Sequence, residues 1–134
     1  MYIDASAKLI GIFMRSNMPQ KSIGQLEALI SEAMVKFERE HMGRGPNRTH
    51  THFLDDMVIV RLEGVLTPAE MQLAKDPAGV KLLKEVRQML LENSKDLLKR
   101  LIKQISERDV VSMHSDISAK TGERIIVFTL KEAP

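Results

Sequence analysis

Three histidines and one aspartate stand at spacings that could build a metal site. His50 and His52 are two residues apart on a predicted strand, so their side chains point to the same face. His114 and Asp116 have the same relation on a second predicted strand. Imidazole nitrogens and carboxylates are ligands that zinc and other divalent metals accept. If the two strands are neighbours, the four side chains could converge on one ion; solvent-facing strand positions explain the pattern more simply.

A second candidate site is the Gly-Arg-Gly-Pro segment at residues 43–46. Gly43 and Gly45 permit unusual backbone angles and close approach of a ligand. Arg44 between them can present its planar guanidinium to a phosphate or carboxylate, and Arg48 follows closely. The alternative is that Gly43 ends a helix and Arg44 is solvated. The segment is not a phosphate-binding loop, because no Lys-Ser or Lys-Thr pair follows it.

Charged residues on the predicted strands could form either a polar binding cleft or a solvated network. We expect five of them to lie near one another on one face of the sheet: Arg61, Glu63, Asp116, Glu123 and Arg124. The ligand-binding hypothesis therefore comprises Gly43, Arg44, Gly45, Arg48, Arg61 and Glu63. Asp55 and Asp56 suit a turn better than an acid–base pair, because adjacent strand residues point to opposite faces. We assign no catalytic residue and expect no cofactor, since neither a nucleophile elbow nor a dinucleotide glycine pattern occurs.

The amino-acid composition excludes some classes of function and disfavours others. The chain has 134 residues, which suits one domain, and a formal net charge of +2. It has no cysteine, which excludes disulfides, thiolate metal sites and cysteine nucleophiles. Acidic residues are interspersed with the basic ones of the predicted long helix, so we expect no nucleic-acid partner. The basic residues considered for such a stripe are Lys81, Lys84, Arg87, Lys95, Lys99, Arg100 and Lys103.

No uncharged apolar run is long enough for a membrane-spanning helix, and no secretory signal is present, so we expect a cytoplasmic location. Residues 1–17 nevertheless carry apolar side chains at helical spacing. Three interpretations stay open for this segment: an amphipathic helix packed on the core or a partner, an upstream extension with Met18 as the true start, or a helix on a membrane surface. Residues 18–134 are predicted to form a single domain.

Capping patterns predict where the helices begin. Ser22 with Gln25 predicts a capping box at the start of a helix that ends near Gly43. Thr67 begins a short helix with Pro68 at its first position, and Asp76 with Pro77 begins a long one. The apolar stripe of the long helix is predicted to consist of Val80, Leu83, Val86, Leu90, Leu97, Leu101 and Ile105.

The long helix raises a packing problem. If it continues unbroken to Ser106, it spans about 45 Å at 1.5 Å per residue, whereas a seven-residue strand spans about 23 Å. It must therefore bend around Asn93 and Ser94, or its free end must pack on another subunit.

Two hairpins complete the predicted architecture. Alternating residues at 48–54 and 57–63 surround a turn at the two aspartates, and residues 110–117 and 124–130 surround a turn ending at Gly122. The order α-β-β-α-β-β predicts an α+β two-layer sandwich, with helices on one face of a four-stranded, mainly antiparallel sheet. Met57 and Ile59 beside Arg61 and Glu63 leave the other face half-apolar, so we expect residues 1–17 or a second subunit to cover it.

Three separated segments resemble the hallmarks of one bacterial family, the MpsC-like family. They are Phe-Glu-Arg-Glu-His-Met-Gly-Arg-Gly-Pro at 37–46, Asp-Asp-Met-Val-Ile-Val-Arg-Leu-Glu-Gly-Val-Leu-Thr at 55–67, and His-Ser-Asp-Ile at 114–117 with Thr-Gly-Glu-Arg-Ile-Ile-Val-Phe-Thr-Leu at 121–130. The resemblance covers residues 20–131. The family is named for a component associated with a sodium-translocating, membrane-potential-generating system, and it brings no catalytic residues with it.

The resemblance implies an accessory or regulatory role linked to ion transport or bioenergetics. We expect a non-enzymatic domain that forms a homodimer and binds a protein partner, with a membrane-associated protein as a candidate, or a small anion. The alternative is a ligand or metal sensor, or an enzyme, centred on Arg44 and the histidines. That alternative predicts a concave pocket where Arg44 meets His50, His114 or Asp116.

Overall fold

The computed structural model describes residues 20–132. The interpretations of residues 1–17 therefore lie outside the described residues. In chain order, the elements are α1 (Ile23–His41), β1 (Arg48–Leu54), β2 (Met57–Glu63), α2 (Pro68–Leu73), α3 (Pro77–Asn93), α4 (Lys95–Ser106), β3 (Val110–Ile117) and β4 (Arg124–Leu130).

The four strands form one antiparallel sheet in the order β1-β2-β4-β3. The two strands of each hairpin pair with each other, β1 with β2 and β3 with β4. The second strands of the two hairpins, β2 and β4, pair at the centre of the sheet. Residues of β2 and β4 alternate between a buried and a more exposed face, as the period of two requires. The helices cover the buried face. The predicted α+β sandwich is thereby confirmed.

The core lies between the helices and the covered face of the sheet. The covered face contributes Val58, Val60, Leu62, Ile126 and Phe128, all fully buried. The helices contribute Ile30, Met34, Leu83, Leu91, Leu98 and Ile102, each no more than 1% exposed. Each of these side chains recurs at the period of its own element, which is why binary patterning recovers the architecture.

The helix starts follow the predicted caps. The Ser22 hydroxyl accepts a hydrogen bond from the Gln25 backbone N–H at 3.1 Å, and the Gln25 side chain accepts one from Ser22 N–H at 2.8 Å. Thr67 and Glu70 exchange the same pair of bonds at 3.2 and 3.0 Å. The Asp76 carboxylate accepts from Gly79 N–H at 2.8 Å. These bonds satisfy amide groups that a helix leaves unpaired at its first turn.

The predicted long helix is divided at Ser94, so the bend is the alternative that the structure adopts. The predicted stripe is wrong at two positions. Val86 and Leu90 are 44% and 41% exposed, because the inward face of α3 is formed by Leu83, Arg87 and Leu91 instead. Because Arg87 lies on the buried side of α3, the apolar residues Val86 and Leu90 lie on the solvent-exposed side.

Candidate functional site

A buried cluster of two carboxylates and two guanidiniums joins four elements of the fold. Glu38 of α1 is fully buried, and Arg87 of α3 and Arg124 of β4 are 1% and 2% exposed. Glu70 of α2 completes the cluster, with 20% of its side chain exposed. Burying a charge is costly unless it is paired and hydrogen-bonded. The geometry of the pairs therefore decides whether the cluster is satisfied.

Each residue reaches the cluster through the period of its own element. Glu38 lies four residues after Met34 on the inward face of α1, and Arg87 lies four after Leu83 on α3. Arg124 lies two residues before Ile126 on the covered face of β4. Glu70 is held by its capping-box bond to Thr67.

The bonding within the cluster pairs every charge. Arg124 Nη1 lies 2.9 Å from Glu38 Oε1, and Arg87 Nη1 lies 3.4 Å from Glu38 Oε2. Arg87 also donates two bonds of 2.6 Å to the Glu70 carboxylate and one of 2.8 Å to the Val65 carbonyl oxygen. The two-oxygen grip on Glu70 is the strong bidentate geometry. Two positive and two negative charges cancel, so the cluster is an ionic clamp between α1, α2, α3 and β4.

The cluster shifts the acidity of its members. Burial raises the pKa of Glu38, whereas Arg124 and Arg87 act in the opposite direction. Burial lowers the pKa of Arg124, because it disfavours the charged guanidinium, while the negative charge of Glu38 acts to raise it. Glu70 differs: burial favours its neutral form, but hydrogen bonds from Arg87 and from the Thr67 backbone outweigh burial and hold its pKa below the usual value.

The pKa of Glu70 gives an expected pH dependence. A carboxyl whose pKa is lower in the folded than in the unfolded state stabilises the fold above its unfolded pKa, and this contribution is lost as pH falls through the folded pKa. We therefore expect wild-type stability to fall between about pH 5 and pH 3, and the Glu70→Gln variant to lose less over that interval. The measurement is the urea midpoint of unfolding across this pH range for the wild type, Glu70→Gln and a control, Glu32→Gln, which removes an exposed carboxylate of α1. If the midpoint of Glu70→Gln depended on pH as strongly as that of the wild type, Glu70 would have no such role.

The room beside the cluster is small. A cavity of about 20 Å³ lies against it, lined by Lys84, Arg87, Gln88, Ser115, Asp116, Ile117 and Arg124. That volume admits about one water molecule. A larger open groove of about 470 Å³ runs beside α1, lined by Ser31, Glu32, Val35, Lys36, Arg39, Glu40 and Thr49. Thr49 Oγ1 is buried there and has no hydrogen-bond partner among residues 20–132.

The predicted Gly-Arg-Gly-Pro segment forms the loop between α1 and β1. Gly43 follows the C-cap of α1 with φ of +99°, so the helix-ending interpretation matches its geometry. Arg44 donates to Asn47 Oδ1 at 2.9 Å and to the Gly45 carbonyl at 3.3 Å. The guanidinium of Arg44 is therefore engaged within its own loop.

The other predicted ligand-binding residues lie on the uncovered face of the sheet. Arg61 pairs with Glu123 at 2.6 Å and with Glu63 at 3.1 Å, and Arg48 lies 3.9 Å from Glu63. Of the five charged residues expected together, Arg61, Glu63 and Glu123 do meet. Asp116 instead pairs with Lys84 at 3.3 Å, and Arg124 points to the covered face.

The structure separates the residues of the predicted metal site. His50 and His52 share the uncovered face of β1, with ring centroids 6.5 Å apart, whereas His114 and Asp116 lie on β3. The strands β1 and β3 are the two edges of the sheet, about 14 Å apart at the usual strand spacing. The predicted metal site requires β1 and β3 to be neighbours, and they are not. Within residues 20–132, no group of three or more His, Asp or Glu side chains could hold a metal ion.

The sequence does not predict the buried cluster. Arg87 enters the sequence analysis only as a candidate for a basic stripe, Arg124 is expected on the uncovered face, and Glu38 falls among the polar residues of its helix. The signal that could have found Arg124 is its alternation with Ile126 and Phe128, which places it on the covered face. Arg87 lies four residues from both Leu83 and Leu91, but Leu82, Val86 and Leu90 have the same spacing and are all apolar, so the spacing alone does not place Arg87 in the core.

Helix α3 also exposes apolar side chains on one outer face. Four apolar side chains share this face at helical spacing: Leu82 (49% exposed), Val86 (44%), Met89 (66%) and Leu90 (41%). We call these four residues the α3 stripe. Met71 on neighbouring α2 is 50% exposed. Clustered apolar side chains on a surface are typical of an interaction site.

Comparison with known proteins gives a consistent result. A family model described as "Na+-translocating membrane potential-generating system (MpsC)" matches residues 22–132. The chain is 40% identical over 111 residues to uncharacterized protein YbcI of Bacillus subtilis, covering 83% of this chain and 90% of that one. It is 28% identical over 100 residues to uncharacterized protein YrhF of the same organism, covering 73% and 81%. No solved structure matches. No helix between residues 20 and 132 has both the length and the apolar character to cross a bilayer.

Proposed function

Because the chain belongs to the MpsC family, we propose that it is a cytoplasmic, non-enzymatic accessory domain of a membrane ion-transport system. It acts by binding a protein of that system. The family description supports the link to sodium translocation and membrane potential. The surface that supports partner binding is the α3 stripe, and this is the observation on which the proposal rests.

The α3 stripe has the shape and chemistry of a docking surface. Its four side chains span just over two turns of one helix, so a partner helix or groove can contact them along a line. Glu85 and Glu92 flank the stripe on its solvent side. A partner that fits would present an apolar face with lysine or arginine along one side. Met89, the most exposed member, would lie at the centre of the contact because flexible methionine adapts to irregular partners.

We expect Met89→Glu to weaken partner binding at least tenfold, because it places a charge in an apolar contact. The fold should keep its stability, since Met89 is 66% exposed. The measurement is complementation of a gene deletion in the native host, with membrane potential followed by a voltage-sensitive dye and the partner followed by photo-crosslinking at position 82.

Gln88→Glu provides the matched control, because it adds the same charge one residue away from the stripe. The control should restore membrane potential and crosslinking to wild-type levels. Equal restoration by Met89→Glu would show that the α3 stripe is not the docking surface.

A small-anion or ligand site at Arg44, Arg48 and Arg61 is the alternative, and it has weaker support. Arg44 is bonded within its loop, and Arg61 is bonded to two carboxylates. An anion would have to displace those partners. Arg48, with 70% of its side chain exposed, is the most available of the three. Titration with phosphate and bicarbonate, read as a thermal shift lost in Arg48→Ala, tests this alternative.

A further inference from the structure

The side chain of Arg124 carries more hydrogen-bond donors than the protein around it accepts. A guanidinium has five N–H groups in one plane. Arg124 is 2% exposed, and its one hydrogen bond within residues 20–132 runs from Nη1 to Glu38 Oε1 at 2.9 Å. The similarly buried guanidinium of Arg87 donates four. Because a buried donor without an acceptor costs free energy, the remaining N–H groups of Arg124 require another acceptor.

The small cavity beside the ionic clamp is where such an acceptor fits. The cavity has a volume of about 20 Å³ and lies between α3, β3 and β4. Arg124 lines it from β4, and Ser115 adds a hydroxyl group from the neighbouring strand β3. This volume holds one ligand of about the size of a water molecule. An anion with several oxygen atoms, such as phosphate or sulfate, is therefore too large for it.

Positive charges predominate around this cavity. Lys84, Arg87 and Arg124 line it. Within the described part of the chain, Asp116 is the one carboxylate that does so, and its side chain is 81% exposed. Asp116 Oδ1 already accepts hydrogen bonds from Lys84 at 3.3 Å and from the Ile117 N–H at 2.8 Å. The charges that line the cavity therefore favour an anion inside it.

The ionic clamp also has a positive end, and that end lies at the cavity. Hydrogen bonds join its side chains in the order Arg124, Glu38, Arg87 and Glu70, so positive and negative charges alternate along a row. Glu70 ends the row on the partly exposed side, and Arg124 ends it at the cavity. Burial, and to a smaller degree the positive charge of Arg87, lowers the pKa of Arg124. A negative charge in the cavity would act in the opposite direction, because it favours the charged guanidinium.

We propose that the cavity binds one halide ion, with chloride as the abundant member of that class, between Arg124 and Ser115. A halide ion accepts hydrogen bonds from several donors at once and, unlike water, needs no acceptor for protons of its own. It also supplies a negative charge at the positive end of the ionic clamp, which water does not. The bound ion joins β4 to β3 beneath α3. Because only the folded protein has this cavity, the free energy of unfolding rises with chloride concentration.

The width of the chloride nuclear magnetic resonance line measures binding directly. Chloride added to the protein in sodium gluconate should give a broadened line, which bromide narrows by competition and sulfate at equal ionic strength does not. Ser115→Val removes the hydroxyl and fills the cavity with methyl groups, so the broadening should be lost. Ser112→Val, the same substitution on the uncovered face of β3, is the control and should keep it. Arg48→Ala should also keep it, which distinguishes the cavity from the exposed arginines.

Two measurements on the wild type test the site without any variant. A crystal soaked in sodium bromide should show an anomalous-scattering peak between Arg124 and Ser115. The thermal unfolding midpoint should rise by at least about 3 °C when chloride, at tenfold its dissociation constant, replaces gluconate at equal ionic strength. A cavity without a bromide peak, equal midpoints in the two salts, or line broadening that Ser115→Val leaves unchanged would each mean that water fills the cavity, and each overturns the proposal.

Discussion

Replacing Glu38 by glutamine is expected to lower the free energy of unfolding by about 3–5 kcal/mol, the range seen when one partner of a buried ion pair is removed. The corresponding fall in the unfolding midpoint is at least about 10 °C for a domain of this size. Glutamine has nearly the same volume, so the effect isolates charge from packing. Stability determined by urea and thermal unfolding is the measurement.

The size of this effect follows from what surrounds Glu38. Its two oxygens are shared between Arg124 at 2.9 Å and Arg87 at 3.4 Å, and all three residues are at most 2% exposed. With a neutral amide at position 38, Glu70 is the one carboxylate within residues 20–132 that still pairs with this cluster's two guanidiniums. Arg124 would be affected most, because Glu38 is its carboxylate partner in the structure, whereas Arg87 retains its two bonds to Glu70.

Two further variants separate charge from general damage to α1. Glu40→Gln changes an exposed carboxylate two residues away and should alter stability by less than about 0.5 kcal/mol. Glu38→Met combined with Arg124→Met removes an acid and a base together, leaving Arg87 with Glu70. Because apolar replacements for a complete buried pair are often neutral or stabilising, the double variant should recover much of the loss. A Glu38→Gln protein within 1 kcal/mol of wild type would contradict the clamp.

Local chemistry made much of the fold predictable. The capping residues Ser22, Thr67 and Asp76 each act within three residues, so their spacing alone locates the helix starts. The strands follow from strict alternation. The division at Ser94 could be anticipated because an unbroken helix would have exceeded the length of the sheet.

The inward face of α3 could not be predicted from its own sequence. Leu83, Arg87 and Leu91 share one face, and Leu82, Val86 and Leu90 share another, so helical periodicity favours the second, fully apolar set. The first set is buried because Glu38 and Glu70, from two other helices, neutralise the arginine. Those partners are 49 and 17 residues away in sequence, and a local pattern carries no information about them.

Strand order limited the prediction of the candidate sites for a similar reason. The metal site required β1 beside β3, but the hairpins join through β2 and β4, which leaves β1 and β3 as edges. Hairpin pairing is local and predictable, whereas the pairing of one hairpin with another depends on contacts about 70 residues apart in sequence. His50 and His52 lie side by side on β1, but the strand order separates them from His114 and Asp116.

Gly79→Ala is expected to destabilise the fold by about 3 kcal/mol or more, the upper end of overpacking costs. Gly79 lies in the first turn of α3, where it is buried and donates its N–H to Asp76. A Cβ at this position would overlap the backbone carbonyl oxygen of Leu73, the last residue of α2. A backbone atom cannot rotate away as a side chain can, so α2 would have to move. Movement of α2 would draw Glu70 away from Arg87 and open the ionic clamp.

Gly24→Ala is the matched control, because Gly24 also lies in the first turn of a helix. Of the part of the chain that the structure describes, a Cβ there would meet only Ser22 Oγ at 3.9 Å, which is ordinary van der Waals contact. Alanine has the higher helix propensity, so this variant should gain up to about 1 kcal/mol. The two substitutions are chemically identical and should shift the urea midpoint in opposite directions. A Gly79→Ala midpoint equal to that of the wild type would mean that α2 is free to move without loss, and that the clamp does not depend on where α2 meets α3.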